Sequence, residues 1–114
     1  MSYINIYTHH DYRVFLKTYL DWQKEHNPVF SHRWFTQKAG YRSTGLFLDI
    51  MNGKSNLTIN MAAKFAKAMK LSEREHEYLV LLILYDSCKN EHTRQEYLKE
   101  ITRFVPTKFT QLKE

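Results

Sequence analysis

Apolar residues recur along this chain at intervals of three and four, and strand-like alternation is absent, so the pattern predicts helices throughout. Tyr12, Phe15, Leu16, Tyr19 and Trp22 fall on one stripe and predict a first helix over about 9–25. Thr8 is its expected cap, with Asp11 near the positive helix end. Asn27-Pro28 stops it, because the residue before proline avoids the α region. A second, short helix is expected over 32–39, capped by Ser31, with Trp34, Phe35 and Ala39 inside. Gly40 follows at the position where a left-handed backbone costs least. The third helix begins near Ser43 or Thr44 and ends at Asn52-Gly53, with Leu46 and Ile50 sharing a face. The fourth spans 59–69 behind Thr58. Ala62, Phe65, Ala66 and Met69 line its apolar side, and Lys64, Lys67 and Lys70 lie along one edge.

Two capping-box patterns, Ser72-x-x-Glu75 and Thr93-x-x-Glu96, open a fifth helix reaching roughly Ser87 and a sixth fading near Phe104, before Pro106. The fifth contains YLVLLILY, which is apolar around the whole circumference for about two turns. Such a segment is either the centre of the fold or a contact surface. Full wrapping is hard to achieve in a small domain, so Tyr78, Leu82 and Tyr85 are expected at a dimer contact or against a further domain. The run is far shorter than the roughly 20 residues that a membrane span needs. The fold class expected is all-α: a compact bundle of five to six helices. Residues 1–105 form the single domain, and 106–114 a frayed tail leading to a C-terminal domain absent from this chain.

At 114 residues the chain suits one domain, and its 43% hydrophobic and 15% aromatic content supplies a core. The lone Cys88 offers neither an internal disulfide nor a metal-ligand pair and fits a reducing compartment. The N-terminus lacks the basic and apolar regions of a secretory signal. A cytoplasmic protein is expected.

Charge changes the picture more than composition does. Between His26 and Lys70 stand seven basic residues (Arg33, Lys38, Arg42, Lys54, Lys64, Lys67 and Lys70) and one acid, Asp49, a net of +6. The remainder has ten Lys/Arg and eleven Asp/Glu, a net of −1, so all of the chain's +5 comes from one segment. A polyanion is the partner this suits, although a solvated basic surface produces the same pattern.

That segment, SHRWFTQKAGYRSTGLFLDIMNGK, has the grammar of a helix-turn-helix. Gly40 opens the turn. Thr36, four residues earlier, is small enough for the helices to approach, and Leu46 anchors the second helix on the first. The start of the second helix is then free for a major groove. Gly40, Gly53, Lys54 and the helix beginning near Thr58 follow an order that resembles the repressor-type helix-turn-helix of the lambda-repressor or xenobiotic-response-element class. The interval between the two glycines is one residue longer than that class commonly has.

A closer resemblance accounts for the interval. YTHHDYRVFLKTYL, FSHRWFTQKAGYRSTGLFLDIMNGKSNLT and FAKAMKLSEREHEYLVLLILY resemble the N-terminal region of a poorly characterised bacterial family. It pairs a repressor-like domain with a larger C-terminal domain of unknown role. The resemblance covers roughly residues 3–105 and is most specific from Ala39 to Leu57. It implies a transcription regulator by analogy, working on double-stranded DNA, with a homodimer as a further partner.

Groove geometry nominates residues. Base edges are expected to meet Arg42, Ser43, Thr44 and Phe47, with Arg42 on guanine and Phe47 on a thymine methyl. Phosphates are expected at Ser31, His32, Arg33, Lys38, Lys54 and Asn56. Against this, Leu46, Phe47, Leu48, Ile50 and Met51 make the third helix unusually apolar, and Asp49 repels phosphate. These features point instead to packing and to a protein-interaction module that keeps the shape without binding DNA.

Other chemistries are poorly supported. His9, His10, Asp11 and His26 lack metal-ligand spacing. Cys88 and His92 are separated by a helix break, and nothing orients the histidine. Without a phosphate loop or acidic dyad, no enzyme, metal or cofactor is expected.

Overall fold

A computed structural model of the chain describes residues 5–42 and 45–104. Helices α1 (Tyr12–His26), α2 (His32–Lys38), α3 (Leu46–Met51), α4 (Ile59–Met69), α5 (Glu73–Ser87) and α6 (Glu91–Phe104) follow a 3₁₀ turn at Ile6–Thr8. The fold is therefore all-helical, and no strand occurs among the described residues.

The helix starts reveal where local chemistry decides. Asn5, not Thr8, caps the first turn among the described residues by accepting from Tyr7 N at 2.9 Å. Thr8 belongs to the 3₁₀ turn and donates to Asn5 O, so α1 starts later than expected, capped by Asp11. Thr58 caps α4, and Ser72 with Glu75 forms both halves of the capping box on α5, as expected. The second box fails. Asn90 accepts from Thr93 N at 2.9 Å, so α6 begins at Glu91 and Thr93 lies inside it. Asn is at least as good a cap as Thr, and the earlier start adds helical hydrogen bonds.

One core cluster draws on every helix. α1 supplies Tyr12, Phe15, Leu16, Tyr19 and Leu20, while Trp22, expected in that stripe, is half-buried and stacks on His26. At α2, Phe30 precedes the Ser31 cap and packs on Phe35, four residues into the helix, as a hydrophobic staple does. Phe35 in turn meets Phe47 and Phe65, linking α2, α3 and α4 through three rings.

α5 corrects an expectation. Tyr78 and Leu82 are fully buried, so they are no contact surface for another molecule. The helix packs on α4, α6, α1 and the 3₁₀ turn, which bury Tyr78, Leu79, Leu82 and Ile83 and leave Val80, Leu81, Leu84 and Tyr85 half-buried. Tyr78 Oη donates to His9 O at 2.8 Å, and burial pushes its pKa up to about 12. Tyr85 is half-buried beneath Arg94, whose guanidinium lies 4.2 Å from the ring centroid and donates to Tyr85 O at 2.7 Å. All three of the expected interface residues thus serve the domain's own packing.

No helix among the described residues is long and apolar enough to cross a membrane. The expected tail, 106–114, lies outside the described residues.

Candidate nucleic-acid interface

α2 and α3 are joined through a turn that α2 itself closes. Gly40 adopts φ +94°, its N–H donates to Gln37 O, and Tyr41 N–H donates to Thr36 O, both at 3.0 Å. These two bonds satisfy the end of α2 in a Schellman motif. The end of α3 repeats it. Gly53 has φ +82°, Gly53 N–H donates to Ile50 O and Lys54 N–H to Asp49 O. Nothing lies within 4 Å of where a Cβ would stand on either glycine, so backbone conformation alone demands glycine there. Thr36 is buried as expected.

The face α3 turns inward differs from the expected one. Phe47 and Ile50 are fully buried, whereas Leu46 is half-buried. Phe47, nominated for a thymine methyl, lies 4.7 Å from the Phe35 ring centroid and cannot reach a base. The cause is the late start of α3. With Gly45 at its N-cap, the helix has six residues and Phe47 takes the anchoring place. Its outward positions are Leu48, 40% exposed, Asp49, half-buried, and Asn52, exposed. Ser43 and Thr44 lie outside the described residues.

Arg13, which sequence reasoning passed over, holds this element in place. From α1 its guanidinium donates to Ile50 O at 2.8 Å, Ser55 O at 3.2 Å and Asn56 Oδ1 at 2.9 Å. Its head also lies 3.9 Å from Asp86 on α5. A cation over the carbonyl end of α3 complements the helix dipole. No local signal announces this role, because the partners stand 37 to 43 residues away in sequence. Tyr12 adds a neighbouring tie, its hydroxyl accepting from Leu57 N at 3.2 Å.

The nominated phosphate contacts divide. Ser31, Arg33, Lys38, Lys54 and Asn56 are exposed, as is Arg42 beside the turn. The Ser31 hydroxyl caps α2 through Trp34 N, which leaves its own proton to donate. Asn56 has its carboxamide oxygen committed to Arg13, so only its amide can donate outward. His32 does not fit the role. Its Nε2 is buried without a hydrogen bond, its ring packs edge-on to Phe47, and burial followed by the Lys24 charge lowers its pKa. A neutral, inward-facing imidazole offers a phosphate no charge.

Among the described residues, none of the seven Lys and Arg side chains between His26 and Lys70 pairs with a carboxylate. Lys64 rests over the Tyr41 ring at 4.9 Å, beside Arg42 in sequence, and Lys38 over Trp34 at 5.6 Å. Carboxylate pairs elsewhere occupy Lys17, Lys99, Arg103 and, at the longest distance, Arg13. No cluster of three metal-ligating side chains occurs among the described residues.

No family model, curated protein or solved structure matches the chain.

Proposed function

We propose that this chain is a sequence-specific DNA-binding domain of a transcription regulator, with α2 and α3 acting as a helix-turn-helix and α3 docked in the major groove. The observation that carries the reading is the run of cations from Arg33 to Lys70, none of which pairs with a carboxylate among the described residues, beside Leu48, Asp49 and Asn52, which lie opposite the buried Phe47 and Ile50. Arg42 precedes α3 and Lys54 follows it, so cations stand at both ends of the element that enters the groove. Phosphate contacts of this kind supply sequence-independent affinity, roughly 10⁻⁴–10⁻⁶ M at physiological salt, and set the register in which bases are read. Two copies related by a two-fold axis, each on a half-site, are the functional form this reading expects. The repressor-type resemblance points the same way, and DNA binding needs neither metal nor catalytic group.

Fluorescence anisotropy on a selected duplex and on scrambled duplexes tests this. Arg42→Ala is expected to relax discrimination by about 1–3 kcal/mol at one position, while Lys54→Ala weakens all duplexes alike. Equal affinity of the wild type for every duplex removes the specificity claim.

A second reading, a protein-interaction module, is favoured by the exposed Leu48 on α3, with Val29 in the α1–α2 turn and Ile59 at the start of α4, 65% and 49% exposed. Self-association in sedimentation, with no duplex retained at low salt, decides for it.

A further inference from the structure

Asp49 stands out once the packing of α3 is known. It is the only acid between His26 and Lys70. It lies on the outward side of α3 between Leu48 and Asn52, opposite the buried Phe47 and Ile50. Its backbone oxygen accepts from Lys54 and Ser55, yet among the described residues no ion pair or hydrogen bond engages its carboxylate, although Arg42 and Lys54 are close in sequence. A carboxylate on a face meant for phosphates is a liability unless a base uses it.

Building on the DNA-binding reading above, we propose that Asp49 is a specificity-determining residue that accepts a hydrogen bond from the N4 amino group of cytosine in the major groove. Cytosine presents there only a donor, and carboxylates accept from it. The neighbours fit the same groove. Leu48 meets a thymine methyl, and Asn52 matches the donor–acceptor pair of adenine. Leu48 and Asn52 are separated by about 6 Å along the helix, close to two base-pair steps. The Phe47 contact expected from sequence is thus replaced by an adjacent outward set. An acid in the first turn of a helix also complements the helix dipole. That role affects folding alone and carries no base preference.

Selection of the wild-type chain on a randomised duplex library, repeated with Asp49→Ala and Asp49→Asn, tests the assignment, with thermal unfolding run in parallel. The wild type is expected to enrich an invariant C·G pair. Asp49→Ala loses roughly 5- to 150-fold discrimination at that pair alone. Asp49→Asn moves the preference there toward A·T, because a carboxamide pairs with adenine. Unchanged profiles in both variants, or a loss spread evenly over all positions together with a lowered Tm, overturn the assignment while leaving DNA binding intact. A wild type that retains no duplex at low salt overturns the DNA-binding reading itself, and the role of Asp49 with it.

Discussion

Replacing Arg13 with alanine examines the joint that ties the candidate interface to the domain. The side chain is only 20% exposed. The substitution removes three hydrogen bonds from a charged donor and strips Ser55 O of its donor, while Ile50 O keeps the Gly53 N–H at 3.2 Å. Hydrogen bonds to charged groups contribute about 1.5–3 kcal/mol each when buried, less where water replaces them. These bonds are partly wet, so a total of about 2–4 kcal/mol is expected, out of the roughly 5–15 kcal/mol a domain has. The Asp86 pair adds little. At 3.9 Å, with Asp86 42% exposed, it belongs among surface pairs worth about 0–1 kcal/mol. Urea unfolding followed by circular dichroism gives both numbers. Arg13→Ala should lower stability by about 2–4 kcal/mol, and Asp86→Ala by less than about 1 kcal/mol. Arg13→Lys should rescue only partly, since an ammonium lacks the planar fork that reaches three acceptors. If Asp86→Ala costs as much as Arg13→Ala, or Arg13→Ala costs under about 0.5 kcal/mol, the clamp is not what holds α3.

Phe47→Ala should destabilise the chain by about 3–5 kcal/mol in the same assay, as removal of a fully buried ring does; a near-neutral effect places that ring outside the core. Lys70 closes α4 with φ +61°, so Lys70→Gly should stabilise by about 0.5–1 kcal/mol, read as a raised Tm. Gly40→Ala should cost about 1–2 kcal/mol from its φ of +94° alone, and an unchanged urea midpoint refutes that. His32 has its pKa lowered from 6.5, so the unfolded chain takes up the proton first. Its contribution to stability is complete above about pH 6.5 and is lost as pH falls through the folded-state value. His32→Gln should flatten the dependence of the urea midpoint between pH 7.5 and 5, and identical pH profiles for variant and wild type contradict the assignment.

Much of this fold is legible from the sequence because its signals are local. Thr58 and the Ser72–Glu75 pair define the starts of α4 and α5, and Gly40 and Gly53 close α2 and α3. Where two cappers compete, sequence alone misjudges. Asn5 and Asp11 displace Thr8, and Asn90 displaces Thr93. The burial of Phe47 rather than Leu46 follows from where α3 starts, at Leu46 behind Gly45, which the spacing between glycines does not specify. The covering of α5 depends on α6 and the 3₁₀ turn arriving from opposite ends of the chain. Arg13 is legible only in three dimensions. The cationic segment is evident from charge order alone, whereas the exclusion of His32 from it required knowing that Nε2 points inward.

The most direct test of the central claim is the salt dependence of duplex binding. If four to five cations such as Arg33, Lys38, Arg42 and Lys54 neutralise phosphates, log Kd plotted against log salt should have a slope of roughly 4, falling by about 1 when Lys54 becomes alanine. A chain whose duplex affinity ignores salt, or whose slope is untouched by Lys54→Ala, contradicts the account.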